Sequence, residues 1–245
     1  CKQIFENKWI DIKKIKFILD SNKEKSGKYI HGIKIFSPEQ KSLKSINCVI
    51  IATSAYSEVF DKLKKLGYKK KVLNAYELLI FDKKIISEFQ KLKVDIAVQK
   101  RSSWIKMILN QPQILVNISF RMCKFFSQSW YLKLFYPFFR VFHAFTNAIL
   151  CIYIPLSVEA GPGLSFAHYG SIIFRANIKI GSFCTIYHNC TLGSDENGNF
   201  PNLGSFVTIY TGSTLIGSCE LADYTRVGAH SLCINLKTNG HCTVV

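Results

Sequence analysis

From residue 158 onward, aliphatic or aromatic side chains recur every six positions. They stand at Val158 and Leu164, then at Phe174, Ile180, Ile186 and Leu192, then at Leu203, Ile209, Leu215, Leu221 and Val227. Four residues after most of them comes a small side chain: Cys184, Cys190, Val207, Ser213, Cys219, Thr225 and Ser231. Glycine follows the aliphatic directly at Gly181, Gly193, Gly204 and Gly228. A period of six fits neither the helical period of about 3.6 nor the strand period of about 2. It is the mark of a parallel β-helix, in which each hexad is a short strand plus a turn. The aliphatic points inward and stacks on its counterpart one coil away, while the small residue fits the corner.

The period breaks twice. Between Leu164 and Phe174 the interval is ten, and it holds Ala167-His168-Tyr169-Gly170. Between Leu192 and Leu203 it is eleven, and it holds the polar run Ser194 to Pro201. Breaks in a solenoid are extruded loops or re-aimed side chains, and such loops carry sites. The corner slots also account for Cys184, Cys190 and Cys219 as packing residues. The nine cysteines are odd in number and form no CxxC pair. No metal site is expected from them, and without a visible secretory leader they read as reduced thiols of a cytoplasmic protein.

Charge divides the rest of the chain. Residues 1–150 carry 28 basic and 11 acidic side chains, whereas residues 151–245 carry 4 and 5. No acidic residue stands between Asp95 and Glu159. Three domains are expected: 1–95, 96–156 and 157–245. In the first, strand-like runs at Ile15–Leu19, Gly32–Phe36, Cys48–Thr53 and Lys71–Asn74 alternate with a helical pattern at Ala55–Leu66, closed by Gly67. This order predicts an α/β layer with a parallel sheet. It resembles the downstream part of a Rossmann-like domain, incomplete because its first strand and Gly-rich loop would lie before Cys1. A docking or scaffolding layer and a nucleotide-binding layer both stand as readings of it.

The second zone is basic and aromatic, with twelve Phe, Tyr or Trp residues among the 34 from Phe120 to Tyr153. Trp130, Leu134, Phe138 and Val141 fit the apolar faces of one or two amphipathic helices. One reading is a helical connector that packs as a collar on the domain that follows. The other is a peripheral contact with an anionic membrane. The RNP pattern and zinc-knuckle elements are absent, so nucleic acid is not an expected partner.

Over about residues 152–245 the order of motifs resembles the serine acetyltransferase-type branch of the left-handed β-helix acyltransferases. The segments are IPLSVEAGPGLSFAHYGSIIF, IKIGSFCTIYHNCTLGS, PNLGSFVTIYTGSTLIGSCELADYTRVGAHSLC and NGHCTVV. Within that branch the sequence is most similar to the polysaccharide and capsule O-acetyltransferases. The resemblance implies a left-handed parallel β-helix, a homotrimer, and acetyl-CoA lying in the groove between adjacent helices. It implies His168 as the general base that takes the proton of an acceptor hydroxyl attacking the thioester. Backbone near Gly193, Ser194, Thr211, Gly212 and Ala229 would contact acetyl-CoA.

The departures from the family pattern shape the expected acceptor. Tyr153 stands where serine acetyltransferases keep an acidic residue before the base, and Ala167 stands where another acidic residue precedes it. Phe200 replaces the histidine before the proline at position 201. These losses point to a sugar hydroxyl of a surface polysaccharide or lipid-linked glycan precursor, with L-serine as the alternative acceptor and a catalytically idle trimerisation module as the second. Glu159 is the nearest acid in sequence to His168. His188 falls where relatives often carry Gln, either facing the groove towards substrate or capping a coil face. His143, His230 and His241 are expected to be structural or solvent-facing. The family's closing G.PA element is expected immediately beyond Val245, which predicts that the chain is a piece of a longer protein.

Overall fold

In a computed structural model, the segment 151–245 winds as a parallel β-solenoid. The structure describes residues 18–19, 26–30, 33–36, 48–51, 59, 63–65, 67–69, 71–74, 87–99, 104–128 and 130–245. Three parallel sheets run along the solenoid. The first contains Glu159–Ala160, Lys179–Ile180, Asn202–Leu203 and Glu220–Leu221. The second contains Ser165–Phe166, Thr185–Ile186, Thr208–Ile209, Arg226–Val227 and Thr243–Val244. The third contains Ile152–Tyr153, Ile172–Phe174, Thr191–Gly193, Thr214–Ile216 and Leu232–Ile234.

Nine of the eleven expected inward positions, from Phe174 to Val227, stack in register. Ile180 pairs with Leu203, Ile186 with Ile209, and Leu192 with both Phe174 and Leu215. All are buried. The first coil differs from expectation by two residues. Ala160 and Phe166, not Val158 and Leu164, stack on Ile180 and Ile186. Val158 and Leu164 are buried one slot earlier, where Glu159 N–H donates to Ile178 and Ser165 N–H to Cys184. Both pairs are apolar with the same spacing of six, so periodicity alone could not choose between them. The first break therefore runs from Phe166 to Phe174, an insertion of two residues on six.

The corners are built as expected, with one addition. The Cys184 thiol donates to the Gly204 carbonyl at 3.1 Å, the Cys190 thiol to Tyr210 at 3.2 Å, and the Ser213 hydroxyl to Gly228 at 2.6 Å. Small side chains thus tie these three corners to the next coil. Burial pushes the Cys184 thiol up to about 12, so it stays protonated. Gly181 is required because a Cβ there would overlap the backbone of Gly204 in the next coil. Immediately before the small residues, at left-handed φ values of 47° to 63°, Phe183, Phe206, Tyr224 and His241 stack ring on ring. Centroid spacings of 5.2, 4.8 and 4.4 Å make this a continuous aromatic ladder.

Among the described residues of 85–150, four α-helices lead into the solenoid: α1 (Glu88–Gln99), α2 (Trp104–Asn110), α3 (Ile114–Gln128) and α4 (Tyr136–Leu150). A first coil has an edge of unpaired N–H and C=O groups, which must be satisfied or left as a template for association. Helix side chains satisfy it. Arg121, fully buried, donates to the carbonyls of Ala160 (2.8 Å) and Gly161 (2.6 Å). Asp95 accepts from the Gly163 and Leu164 amides at 2.6 and 3.0 Å. Asn117 donates to Leu164 O at 3.0 Å, and Lys124 to Val158 O at 2.7 Å.

The buried charges are paired. Arg121 bonds Asp95 at 2.8 Å and Glu88 at 3.0 Å. Burial pushes the Asp95 carboxyl up, against the pull of Arg121 and the two amides. For Glu88, burial is outweighed by Lys91 and Arg121, which hold its carboxyl below the usual range.

The apolar face expected over Trp130–Val141 points outward. Trp130, Leu134, Phe138 and Val141 are 87, 85, 68 and 71% exposed. The buried side of α4 carries His143, Thr146 and Leu150 instead. His143 donates from Nε2 to the Ile154 carbonyl at 2.9 Å, and its Nδ1 lies 2.9 Å from the Ser119 hydroxyl. Its place is therefore structural, as expected. The side facing the solenoid is partly polar because it meets a strand edge rather than only an oily surface.

The chain divides into two compact units, 1–84 and 85–245. In the first, Cys48–Ile51 pairs in parallel with Lys71–Asn74. Residues 63–65 are helical, and Gly67, at φ +77°, closes the turn. Gly67 N–H donates to Lys64 O and Tyr68 N–H to Leu63 O, a Schellman arrangement. Ile33–Phe36 pairs in parallel with Ile18–Leu19 and antiparallel with Tyr29–Ile30. The expected strand–helix–strand order is present between Cys48 and Asn74, but among the described residues the strands fall in two separate sheets, one holding an antiparallel pair, and not in the single parallel sheet expected. Ile15 and Gly32 lie outside the described residues.

Candidate functional site

The corner between the second and third sheets collects most of the residues singled out in the sequence. Phe166 ends its strand on the second sheet, and the next strand of the third sheet starts at Ile172. The two extra residues are accommodated in His168-Tyr169-Gly170-Ser171. Gly170 and Ser171 take φ values of 111° and 36° to turn the chain. Gly170 N–H donates to Leu150 O and Ile172 N–H to Cys151 O, so the last turn of α4 anchors the loop.

His168 leaves the surface here as an exposed side chain. His188 lies one coil away at the equivalent position, its ring centroid 5.6 Å from that of His168 at an interplanar angle of 75°. Tyr187 approaches His168 at 6.0 Å and meets Tyr210 at 5.1 Å with the rings tilted by 38°. The register of Ile186 with Ile209 and of Ile209 with Val227 continues this column through Thr211 to Ala229. Gly212 N–H donates to His188 O at 3.2 Å, and His230 N–H to Thr211 O at 2.8 Å. His230 packs its ring over Gly212, where a Cβ would overlap it.

His168, His188, Thr211, Gly212 and Ala229 therefore share one corner. Gly193 and Ser194 do not: they end a strand of the third sheet and open the five-residue insertion at another corner. A Cβ on Gly193 would meet nothing closer than 3.9 Å, so the backbone there is accessible from outside. In the insertion, Asp195 accepts from the Asn199 amide and side chain at 2.9 Å each, and these bonds hold its carboxyl low. Glu159 is exposed on the first sheet, in register with Lys179, one face away from the His168 corner. Among the described residues no carboxylate bonds the His168 ring.

Sequence reasoning missed the residues that hold the loop from the helical side. Gln113 Nε2 donates to the carbonyl of Ala167, immediately before His168, at 3.3 Å. With Arg121, Asp95 and Asn117, it fixes the backbone of residues 160–167 from 39 or more positions away in sequence. No local signal marks such partners. Tyr187 and Tyr210 were also missed, although their place directly after the stacked Ile186 and Ile209 is a regular one in the hexad.

His188 has a feature of its own. Its Nδ1 is buried and no hydrogen bond reaches it. A buried ring nitrogen without a partner is an unspent acceptor or donor, and it lies beside an exposed imidazole. Two adjacent imidazoles with neighbouring phenols can bind a hydroxyl and move its proton. Among the described residues no group of His, Cys, Asp and Glu is arranged to hold a metal ion.

No family model matches the chain. Over 88 residues it is 26% identical to a serine acetyltransferase of Synechococcus elongatus, a stretch covering 35% of this chain and 36% of that protein. The match thus spans about a third of the length of its curated relative. Among solved structures, a serine acetyltransferase in complex with CoA is similar with a TM-score of 0.51 at 20% identity, over 62% of this chain and 64% of the other. The native serine acetyltransferase 1 of Entamoeba histolytica gives 0.50 at 19% identity, over 70% and 68%. These likenesses establish a shared fold.

Proposed function

We propose that the chain is an acetyl-CoA-dependent O-acetyltransferase in which His168 is the general base. The observation that carries this reading is the exposed imidazole on the insertion of the first full coil, with His188 and Tyr187 beside it. Imidazole is the side chain whose unperturbed titration falls near neutral pH, as such a base requires. In the reaction, His168 takes the proton of the acceptor hydroxyl as its oxygen attacks the acetyl thioester carbon. The tetrahedral oxyanion then collapses with departure of the CoA thiolate, which takes the proton back from the His168 imidazolium. Backbone N–H groups of the coil corner would stabilise the oxyanion.

Acetyl-CoA would run along the corner backbone at Thr211, Gly212 and Ala229. Gly193 and Ser194, at a different corner, would serve a neighbouring helix in a homotrimer. The small side chains at these positions suit a ligand read by main-chain contacts. His188, with an unsatisfied nitrogen, would bind the acceptor. Glu159 has no support as an orienting acid, because it stands on another face. Backbone clamping through Gln113 and the Arg121–Asp95 pair would position His168 in place of an acid.

L-serine is the acceptor we favour. The relatives at hand are serine acetyltransferases, which supports serine over the sugar hydroxyl expected from the sequence. A sugar acceptor stays in view for one reason: Tyr187 and Tyr210 present an amphipathic aromatic surface beside the base. A thiol-release assay with acetyl-CoA, offering L-serine and nucleotide sugars side by side, tests the assignment. Release stimulated by L-serine is the expected result. Release stimulated only by sugars would transfer the reading to a glycan acetyltransferase, and release with no acceptor preference would remove it.

A further inference from the structure

Helix α4 is inside out. Its buried residues include His143 and Thr146, while its exposed ones are Pro137, Phe138, Val141, Ala144, Phe145, Ala148 and Ile149, with Arg140 the sole charge. Trp130, Tyr131 and Leu134, all exposed, extend the apolar surface ahead of the helix. An apolar strip this continuous on a surface marks a contact with something. Two features identify what it contacts. The exposed charges along it, Lys133 and Arg140, are both positive, and the sequence has no acidic residue between Asp95 and Glu159. Two copies meeting through this strip would bring cations together with no anion to answer them. An anionic lipid surface answers both the apolar strip and the cations.

We propose that the outer face of α4, with Trp130–Leu134, lies flat on an anionic bilayer. Fifteen residues extend about 22 Å, less than the roughly 30 Å of a hydrocarbon core, so the helix lies along the surface and does not cross it. No helix of the described residues is long and apolar enough to span a membrane. Phe138, Phe145 and Ile149 enter the acyl boundary, Trp130 and Tyr131 sit at headgroup level, and Lys133 and Arg140 meet the lipid phosphates and carboxylates. The inference is independent of the acyl-transfer chemistry.

Co-sedimentation of the whole chain with vesicles of phosphatidylcholine, with and without phosphatidylserine, tests it. Binding to the anionic vesicles that weakens with added salt is expected, with little binding to the neutral ones. Phe138→Ser with Phe145→Ser should lower binding at least tenfold while leaving the thermal transition in place, because both side chains are exposed. Lys133→Glu with Arg140→Glu gives a second route that leaves the apolar strip intact. At about fivefold per basic residue, it should weaken binding by roughly 25-fold or more. Absence of binding, or equal binding to both vesicle types, overturns the proposal. So does a self-association of the wild type, seen by sedimentation velocity, that Phe138→Ser with Phe145→Ser abolishes.

Discussion

The solenoid and the helices in front of it bury their side chains by opposite rules. In the coils, apolar residues point inward and stack on an apolar counterpart one coil away, and buried polar side chains are confined to the corners. In the collar, Arg121, Asp95, Asn117 and Gln99 are buried while Phe138, Val141 and Phe145 face out. The difference comes from what each region packs against. A coil packs on another coil that satisfies its backbone, so only apolar burial remains to be arranged. The collar packs on a bare strand edge, whose carbonyls and amides demand donors and acceptors. Beside the apolar contacts of Ile114, Val116, Phe120 and Leu150, it therefore buries hydrogen bonds and ion pairs, and it leaves Phe138, Val141 and Phe145 uncovered.

The largest effect is expected at the centre of that polar contact. Arg121→Met leaves Asp95 buried without its cation and Glu88 with Lys91 alone, and should cost about 3–5 kcal/mol in urea unfolding. Asp95→Leu combined with it should cost less than the sum of the two single changes, because the orphaned charge goes too. Strict additivity would show that the pair does not act as a unit. In the coils, Ile209→Ala should cost about 2–5 kcal/mol through a cavity in the stack. The outer collar supplies the contrast: Phe138→Ser should change stability by no more than about 0.5 kcal/mol. A loss comparable to Ile209→Ala would mean that this face is covered in the folded monomer.

The repeat was legible because a fixed period leaves few ways to stack. From Phe174 to Val227 the inward residues and the corner residues were both readable. The first coil was not, since Ala160 and Phe166 compete with Val158 and Leu164 at the same spacing. The insertion holding His168 was visible as a break, but its length of two emerges only from the pairing of Phe166 with Ile186 and of Phe174 with Leu192. Of the helices, the sequence showed one or two around Trp130–Val141, of which Phe138 and Val141 lie on α4; α1 and α2 were not legible, nor was the direction in which α4 faces. Helical periodicity shows which residues share a face and is silent on which face is covered. Gln113 and Asn117, which hold the His168 loop, were invisible because they act across 54 and 47 positions.

Two smaller effects sharpen the same contrast. Burial keeps the His143 ring below its ordinary titration range, so the native collar holds it neutral. The unfolded chain binds a proton near pH 6.5 that the folded chain refuses. Stability from this group is therefore complete above about pH 6.5 and falls as pH drops through the folded value. Thermal melting between pH 7 and 5.5 should show the decline, and His143→Gln should reduce it. Thiol chemistry gives the mildest test. Among the described cysteines, Cys151 is exposed, while Cys184, Cys190 and Cys219 are buried in corners. A small alkylating reagent should modify Cys151 well before the corner thiols, and rapid labelling of Cys184 would contradict the corner bonds described for it.

The proposed role of the His168 corner is tested most directly by single-turnover release of CoA from acetyl-CoA with L-serine, comparing the wild type with His168→Ala. A fall of about 10²–10⁴ in rate is expected, the range for loss of a general base, with the thermal transition unchanged because the side chain is exposed. A His168→Ala protein that releases CoA at the wild-type rate would contradict it.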